Sequence, residues 1–432
     1  MNNLGHHATG DPFSGKIMGA ITNAATIEPD TRQRSYAASA YLNPVKDRTN
    51  LTVITGVCVT RIVLTGSYPN VIATGVEYTR DTECFTVQAN EEVILAAGAL
   101  NTPKLLEVSG IGGSAVLQPL GIYPIIDNPN VGENLQDHPM AGMSFQVREG
   151  VNTVDSLLRL DLKLIQKVMK EYQETRTGPF SVGGIYSYAF LALPPEEQQA
   201  LAKYISKYSQ KPGTSSLKIK HTSYVRDLVL NPNESSAGYF AYPAQGNFGR
   251  EEPDKGMVTS DFLPGGFYSI SACLFQPLSR GSVHIQSADV AIAPKIDPRY
   301  FSHPLDLEVF AQHLTFVSKL ISTAPLSNFL KPGGLRNTLA PKDLSSVSEM
   351  KEYLKKTTLS NWAPTSTCAM LPENDGGVVT ERLTVHGTRN LRIVDASVFP
   401  ITTRGNPMAT VYAVAERASD IIKEDFSLCR RQ

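Results

Sequence analysis

The stretch Glu91–Gly113, EEVILAAGALNTPKLLEVSGIGG, decides the fold. It opens on Val93, Ile94 and Leu95, an apolar run that suits a strand of a parallel sheet covered on both faces. The run breaks at Ala97-Gly98-Ala99, where small side chains let a backbone or a ligand come close. Thr102-Pro103 reads as a helix start, with Thr as N-cap and Pro in the first helical position. Leu105, Leu106 and Val108 give that helix an apolar side. Ser109-Gly110 ends it, since Gly takes the left-handed cap conformation at least cost. Strand, small-residue turn and helix N-terminus together make an edge suited to an anion or a cofactor. A second pattern, Gly110-x-Gly112-x-x-Ala115, imitates a dinucleotide fingerprint. It follows a helix where a fingerprint must follow a strand, so it reads as a helix cap.

Outward from this unit, composition narrows the class. A chain of 432 residues can bury a large core and is expected to hold two domains. With 41% hydrophobic and 19% charged residues it reads as a soluble globular protein. A net charge of −1 gives no reason to expect nucleic acid or an anionic membrane as partner. No apolar run approaches the roughly 20 residues of a membrane helix. The opening MNNLGHHATGDPFSGK lacks the basic and apolar regions of a signal peptide. Cys58, Cys84, Cys273, Cys368 and Cys429 form no CxxC pair, so neither zinc nor a redox dithiol is expected.

In chain order, residues 1–30 read as irregular, punctuated by Gly5, Gly10, Pro12, Gly15 and Gly19. Thr31–Leu42 reads as a helix rich in alanine. Asn50–Leu64 is β-rich and alternates around Gly56, giving two short strands or one bulged strand. Val71–Tyr78 and Glu83–Val87 pair as a hairpin. Val154–Thr177 contains an amphipathic helix, Pro194–Gln210 another, and Gly265–Phe275 a strand. Tyr186, Tyr188, Tyr239, Phe240 and Tyr242 are core or strand aromatics first, and candidates for a pocket around a ring second. Leu391–Val394 reads as a strand, Asp395-Ala396-Ser397 as a turn, and Ala409–Ile422 as a helix with Pro407 near its start.

The same residues carry a family resemblance. Gly98-Ala99-x-x-Thr102-Pro103-x-Leu105-Leu106-x-x-Ser109-Gly110-Ile111-Gly112 resembles, at every fixed position, the second signature of the glucose–methanol–choline (GMC) oxidoreductases. Val131–His138, VGENLQDH, resembles a further family box, as do Pro277–His284 and Pro294–Pro298. The resemblance implies a mixed α/β fold: a Rossmann-like FAD-binding domain, here incomplete, plus an antiparallel-sheet substrate domain. It implies FAD as cofactor. Val59 would meet the adenine end through its backbone, Asp395 and Ala396 the phosphate–ribityl side, and Pro407 and Met408 the isoalloxazine ring. A helix N-terminus behind Pro407 would favour negative charge on the reduced ring. Arg280 reads as a structural ion-pair partner, and His138 as structural more than catalytic. The run around Ala363 resembles fungal members serving secondary-metabolite pathways, whose substrate would be an aromatic or polyketide-derived alcohol.

Two departures stand out. Alcohol oxidation needs a proton acceptor, and histidine suits the task. The family's base opens a His-Pro-x-Gly-Thr-Cys-x-Met run, which here is Ala363-Pro364-Thr365-Ser366-Thr367-Cys368-Ala369-Met370. Ala363 cannot accept a proton. The second catalytic position is Asn406, which hydrogen-bonds a substrate oxygen but is no base. His386 and His303 are present elsewhere, with nothing in the sequence to place either in the site. The strand, Gly-x-Gly-x-x-Gly turn and helix that hold the FAD pyrophosphate are also not found before residue 91. The chain is expected to begin roughly 200 residues into the family pattern. Residues 1–140 then read as the rest of the FAD-binding region and 141–275 as a variable substrate domain. Residues 276–425 read as the C-terminal region, with 390–425 returning to the FAD domain. Three functions remain open: an FAD-dependent alcohol dehydrogenase or oxidase, a non-redox cyclase or dehydratase on the same fold, and an inactive truncated paralogue.

Overall fold

A computed structural model describes residues 1–8, 11, 13–15, 18–207, 216–246 and 262–429. Gly10 and Pro12 of the N-terminal stretch, and residues 208–210 of the expected helix ending at Gln210, lie outside the described residues.

The chain opens with strand β1 (Gly19–Thr22) and a meander of β2 (Cys58–Thr65), β3 (Ile72–Arg80) and β4 (Glu83–Gln88). Then come β5 (Val93–Leu95), helix α1 (Gly98–Val108), β6 (Pro139–Gln146), helix α2 (Leu162–Thr175), β7 (Ser187–Leu191), β8 (Ala237–Tyr242) and β9 (Phe267–Leu274). Helices α3 (Pro304–Ser322) and α4 (Val347–Thr357), strands β10 (Leu359–Ser360) and β11 (Leu391–Ile393), and helix α5 (Met408–Cys429) complete the labelled elements. The six-stranded sheet runs β1-β7-β8-β9-β6-β10, antiparallel throughout. The architecture is mixed α/β with antiparallel sheets, as the sequence implies.

Side-chain alternation sorts this sheet into two faces. Ala141, Met143, Tyr239, Ile270 and Leu274 meet Phe310 and Leu314 of α3 and Leu354 of α4. Met140, Phe190, Phe240, Cys273 and Phe275 form a separate cluster on the other face. Fully burying a leucine or phenylalanine stabilises by about 2 kcal/mol, so the helix-backed face holds much of the fold's stability.

The unit that decides the fold forms largely as read. β5 pairs in parallel with β11, Val93 opposite Leu391 and Leu95 opposite Ile393. Val93 and Leu95 are buried, but Ile94 is 45% exposed. The expected cover on both faces is therefore corrected: among the described residues this strand is covered on one. The helix also starts earlier than expected. It begins at Gly98, whose φ of +81° few L-residues adopt, so Thr102 is not the N-cap and Pro103 lies inside α1. An internal proline leaves the carbonyl four residues back without its donor. Here that carbonyl is Ala99 O, and the Thr367 hydroxyl donates to it at 2.7 Å. The Gly110 cap forms as expected, at φ +87°.

Other boundaries shift for local reasons. Only Ala38–Leu42 of the expected Thr31–Leu42 helix is helical, as a π-turn. Residues 50–57 join no strand; β2 starts at Cys58 and carries its irregularities at Val59/Arg61 and Val63/Leu64. The Val154–Thr177 segment breaks at Leu160, whose φ is +60°. Asp161 then caps α2, its carboxylate accepting from Lys163 and Leu164 N–H at 3.1 Å each.

Candidate functional site

Two extended segments build the site. β6 and β10 pair Met140 with Leu359 and Pro139 with Ser360, and Asn361 N–H continues the ladder by donating to His138 O at 3.0 Å. Pairing resumes where Gln136 and Thr365 exchange N–H···O bonds of 3.1 and 2.9 Å. Between these rungs Trp362-Ala363-Pro364 bulges out, with Trp362 at a φ of +52° and exposed. The bulge lies against Asp137, whose Oδ1 accepts from His138 N (2.7 Å) and Ala363 N (3.1 Å). Its Oδ2 accepts from Tyr300 Oη at 2.5 Å. Burial and the Asp137 charge push the Tyr300 phenol well up, so Tyr300 stays a donor.

Ala363 is buried, and no titratable atom stands at this position. His138, on the facing strand, is fully buried 5.2 Å from Phe275. Neither ring nitrogen has a partner of good geometry, although the ring faces the Thr403 backbone. Burial lowers its pKa to about 4, against the pull of Asp137, so the imidazole is neutral at pH 7.

The Pro364–Met370 run is sewn to the Asp395 turn. Ser366 N donates to Ala396 O (3.0 Å), Cys368 N to Ser397 O (2.8 Å) and Met370 N to Val398 O (2.8 Å). Asp395 is spent inside the protein: Oδ2 accepts from Gly98 N (3.0 Å) and Thr102 Oγ1 (2.6 Å), and Oδ1 from Ser397 N (2.8 Å). A carboxylate at the α1 N-terminus also offsets the helix dipole. The turn at Gly98, the Asp395–Val398 turn and the 364–370 run thus converge. Asn406 and Met408 are exposed and Pro407 is half-buried where α5 begins, and Val411 N donates to Pro407 O at 2.9 Å. Val59 stands apart in β2, which reaches α1 through Ile62 N–H and Ser109 Oγ at 2.9 Å.

The remaining candidates fall elsewhere. His386 lies 3.0 Å from Leu371 O through Nε2, which must donate there, and lines an outer cavity of about 1000 Å³ with Arg382 and Arg392. His303 caps α3, its Nδ1 accepting from Leu305 N at 3.3 Å. The Arg280 guanidinium, expected as a structural ion-pair partner, feels the Asp306 charge and bonds the Pro277 and Ser279 carbonyls. The aromatics divide: Tyr239 packs on the helix-backed face, Tyr188, Phe240 and Tyr242 on the other. Two features escape a reading of the sequence. Gln136 and Gln276 are buried beside residues 400–403, and His284 bridges buried Glu107 (2.7 Å) and Glu133 (3.1 Å). Those two carboxylates raise the His284 pKa to about 9. No cluster of three or more potential metal ligands occurs among the described residues.

Comparison with known proteins bears on this arrangement. Family descriptions of GMC oxidoreductases match residues 14–140 and 277–415. Dehydrogenase mpl7 of Monascus purpureus is 34% identical over 439 aligned positions, covering 98% of this chain and 68% of that protein. Among solved structures, an FAD-dependent oxidoreductase from Chaetomium thermophilum superimposes with a TM-score of 0.83 at 27% identity, over 99% of this chain and 71% of its own. A fungal aryl-alcohol oxidase does so with a TM-score of 0.79 at 27% identity, over 99% and 70%.

Proposed function

The chain belongs to the GMC oxidoreductase family, and from that premise we propose that it serves the FAD-dependent oxidation of a small alcohol. The observation that carries this reading is the convergence of the Gly98 turn, the Asp395–Val398 turn and the 364–370 run. Nothing lies within 4 Å of where a Cβ on Gly98 would stand, so the turn is an open cradle. The residues fit the flavin side of the cofactor. Asp395, Ala396, Asn406, Pro407 and Met408 would hold it, mostly by backbone, with Val59 at the adenine end, and the α5 N-terminus favours negative charge beside the ring. When bound, FAD would supply the acceptor for a hydride from the alcohol carbon, and the hydroxyl proton would pass to solvent water, since neither Ala363 nor Asn406 is a base.

The chain's own part is to bind and orient. Asn406 offers an amide that hydrogen-bonds the substrate hydroxyl oxygen. Exposed Trp362 on the bulge before Ala363, together with the likeness to a fungal aryl-alcohol oxidase, favours an aromatic or polyketide-derived alcohol. On this reading residues 1–140 and 390–425 serve the cofactor and 141–275 the substrate. A second reading rests on buried Ala363. With no base there, a ring closure or dehydration without net redox change uses the same pocket as a template.

The test is the visible spectrum of the purified chain. Flavin bands that bleach without oxygen on adding an aromatic alcohol support oxidation. Substrate consumption without bleaching supports the cyclase. A folded, colourless chain overturns the oxidoreductase reading for this polypeptide.

A further inference from the structure

Alternate residues of the VGENLQDH box face one stretch of backbone, Pro400–Thr403. Asn134, at a φ of +64° that asparagine tolerates better than most, donates from Nδ2 to Ser366 O (3.3 Å) and Pro400 O (3.4 Å). Gln136 uses both ends of its amide. Its Nε2 donates to Pro400 O (3.1 Å) and Asn134 Oδ1 (3.3 Å), and its Oε1 accepts from Thr402 N (3.2 Å). From the other side, Gln276 Nε2 donates to Thr402 O at 3.3 Å. Thr402 is therefore held at N–H and C=O by two different buried glutamines. His138 faces the next residue, Thr403.

Such an arrangement is more than burial requires. A lone buried amide is satisfied by any nearby backbone group, and one bond each keeps the cost of desolvation low. Here the bonds converge on a single loop, four residues before Asn406, from segments that belong to two different parts of the chain. Several buried bonds to one segment hold it in one geometry, and a site is only as well defined as the shell behind it.

We propose that Gln136 and Gln276 are positioning residues for Asn406: clamping Thr402 from both sides, they fix the loop that presents the Asn406 amide to the substrate. The inference rests on the reading of Asn406 as a substrate-facing residue. The Gln136 clamp has a built-in control in Gln146, another glutamine bonded at both ends, to Leu335 N (3.1 Å) and Pro264 O (3.4 Å), but with no bond to the loop.

The experiment measures backbone amide exchange at Thr402 and 15N relaxation at Asn406 in the purified full chain, for the parent, Gln136→Leu, Gln136→Glu and Gln146→Leu. Gln136→Leu is expected to speed Thr402 exchange about tenfold and to lower the Asn406 order parameter towards the flexible range below about 0.6. Gln136→Glu keeps the acceptor for Thr402 N but turns a carboxylate oxygen on Pro400 O and Asn134 Oδ1, so it is expected to lose protection as well. Gln146→Leu leaves both readouts unchanged. Unaltered Thr402 exchange in a folded Gln136→Leu overturns the clamp. Faster exchange with unaltered Asn406 order overturns the positioning role. Both readouts hold whether or not flavin is bound, so the colour of the preparation decides the oxidoreductase reading separately. In a coloured preparation, Gln136→Leu is expected to lower kcat per bound flavin about tenfold with KM changed far less; the normalisation to flavin removes the loss of folded fraction, which would lower apparent kcat in the same way.

Discussion

Both faces of the six-stranded sheet lie against a buried histidine, and the two are treated differently. His313, on α3 behind the helix-backed face, is fully served. Its Nε2 pairs with Ser236 Oγ at 2.7 Å and its Nδ1 with Tyr239 Oη at 3.0 Å. Tyr239 Oη also donates to His313 O at 2.8 Å, which leaves Nδ1 as donor to the phenol oxygen and Nε2 as acceptor from Ser236. His138, against the other face, has neither nitrogen paired, and Gln276 Oε1 and Thr402 Oγ1 are likewise without partners. Native cores rarely leave buried polar atoms unpaired. The histidine behind the helix-backed face is thus part of a satisfied network. His138 instead stands with unpaired polar atoms beside the Pro400–Thr403 loop.

Replacing each ring with phenylalanine tests that contrast most strongly. His313→Phe strands the Ser236 hydroxyl and removes a partner of Tyr239, and is expected to cost about 3 kcal/mol in urea unfolding. His138→Phe strands no side chain and removes two unsatisfied atoms, so it is expected to fall within about 1 kcal/mol of the parent. Equal costs would erase the distinction between the faces.

Acid provides the next test. Both histidines have pKa values lowered by burial, His138 to about 4 and His313 to about 3, against 6.5 for the free side chain. Below 6.5 the unfolded chain takes up protons that the folded one refuses. The stability these groups permit is therefore full above pH 6.5 and is lost as pH falls towards 4, by about 1.4 kcal/mol per unit for each group. The difference between urea midpoints at pH 7 and pH 5 is expected to shrink in His138→Phe. An unchanged difference would mean that His138 meets water or a partner in solution.

How much of this is legible in the sequence depends on what each residue answers to. Glu91–Gly113 is readable because strand, turn and cap are local, and Gly110 takes its expected conformation. The start of α1 is not, because Pro103 usually marks a first turn, whereas here a residue distant in sequence, Thr367, supplies the missing donor. Ile94 misleads because an apolar run says nothing about what covers its second face. The family blocks locate Ala363, Asp395 and Asn406, but not the glutamine clamp. Gln136 and Gln276 look like any polar residues until the fold brings both to Thr402. The alternation of Asn134, Gln136 and His138 is the one local sign that these residues share a side.

The Thr367 contact also separates the site region from the core behind α3. Thr367→Val keeps the shape but leaves the Ala99 carbonyl without its donor, at a cost expected near ~1–2 kcal/mol. Because that carbonyl lies in the first turn of α1, amide exchange should rise around Gly98–Thr102 and remain unchanged in α3 and α4. A uniform rise would instead mean that α1 and the helix-backed face unfold as one unit.

The smallest expected effect has the opposite pH sign. His284 is charged between Glu107 and Glu133, with its pKa raised to about 9. A raised pKa means the folded chain holds a proton that the unfolded chain releases above 6.5. Its contribution is full below pH 6.5 and is lost as pH climbs through 9. Partial exposure of the ring and of Glu133 lets solvent screen the pair, so about 1 kcal/mol is expected. His284→Gln should flatten the alkaline limb of the stability curve and leave the acid limb, to which His138 and His313 contribute, in place. The histidines thus act at both ends of the pH range: His138 and His313, with His221, whose pKa burial also lowers to about 4, on the acid side, and His284 on the alkaline side. If His284→Gln leaves the alkaline limb unchanged, the two carboxylates do not hold His284 charged in solution, and α1 is tied to this segment through Glu107 and the Ile285 N–H (2.8 Å) without it.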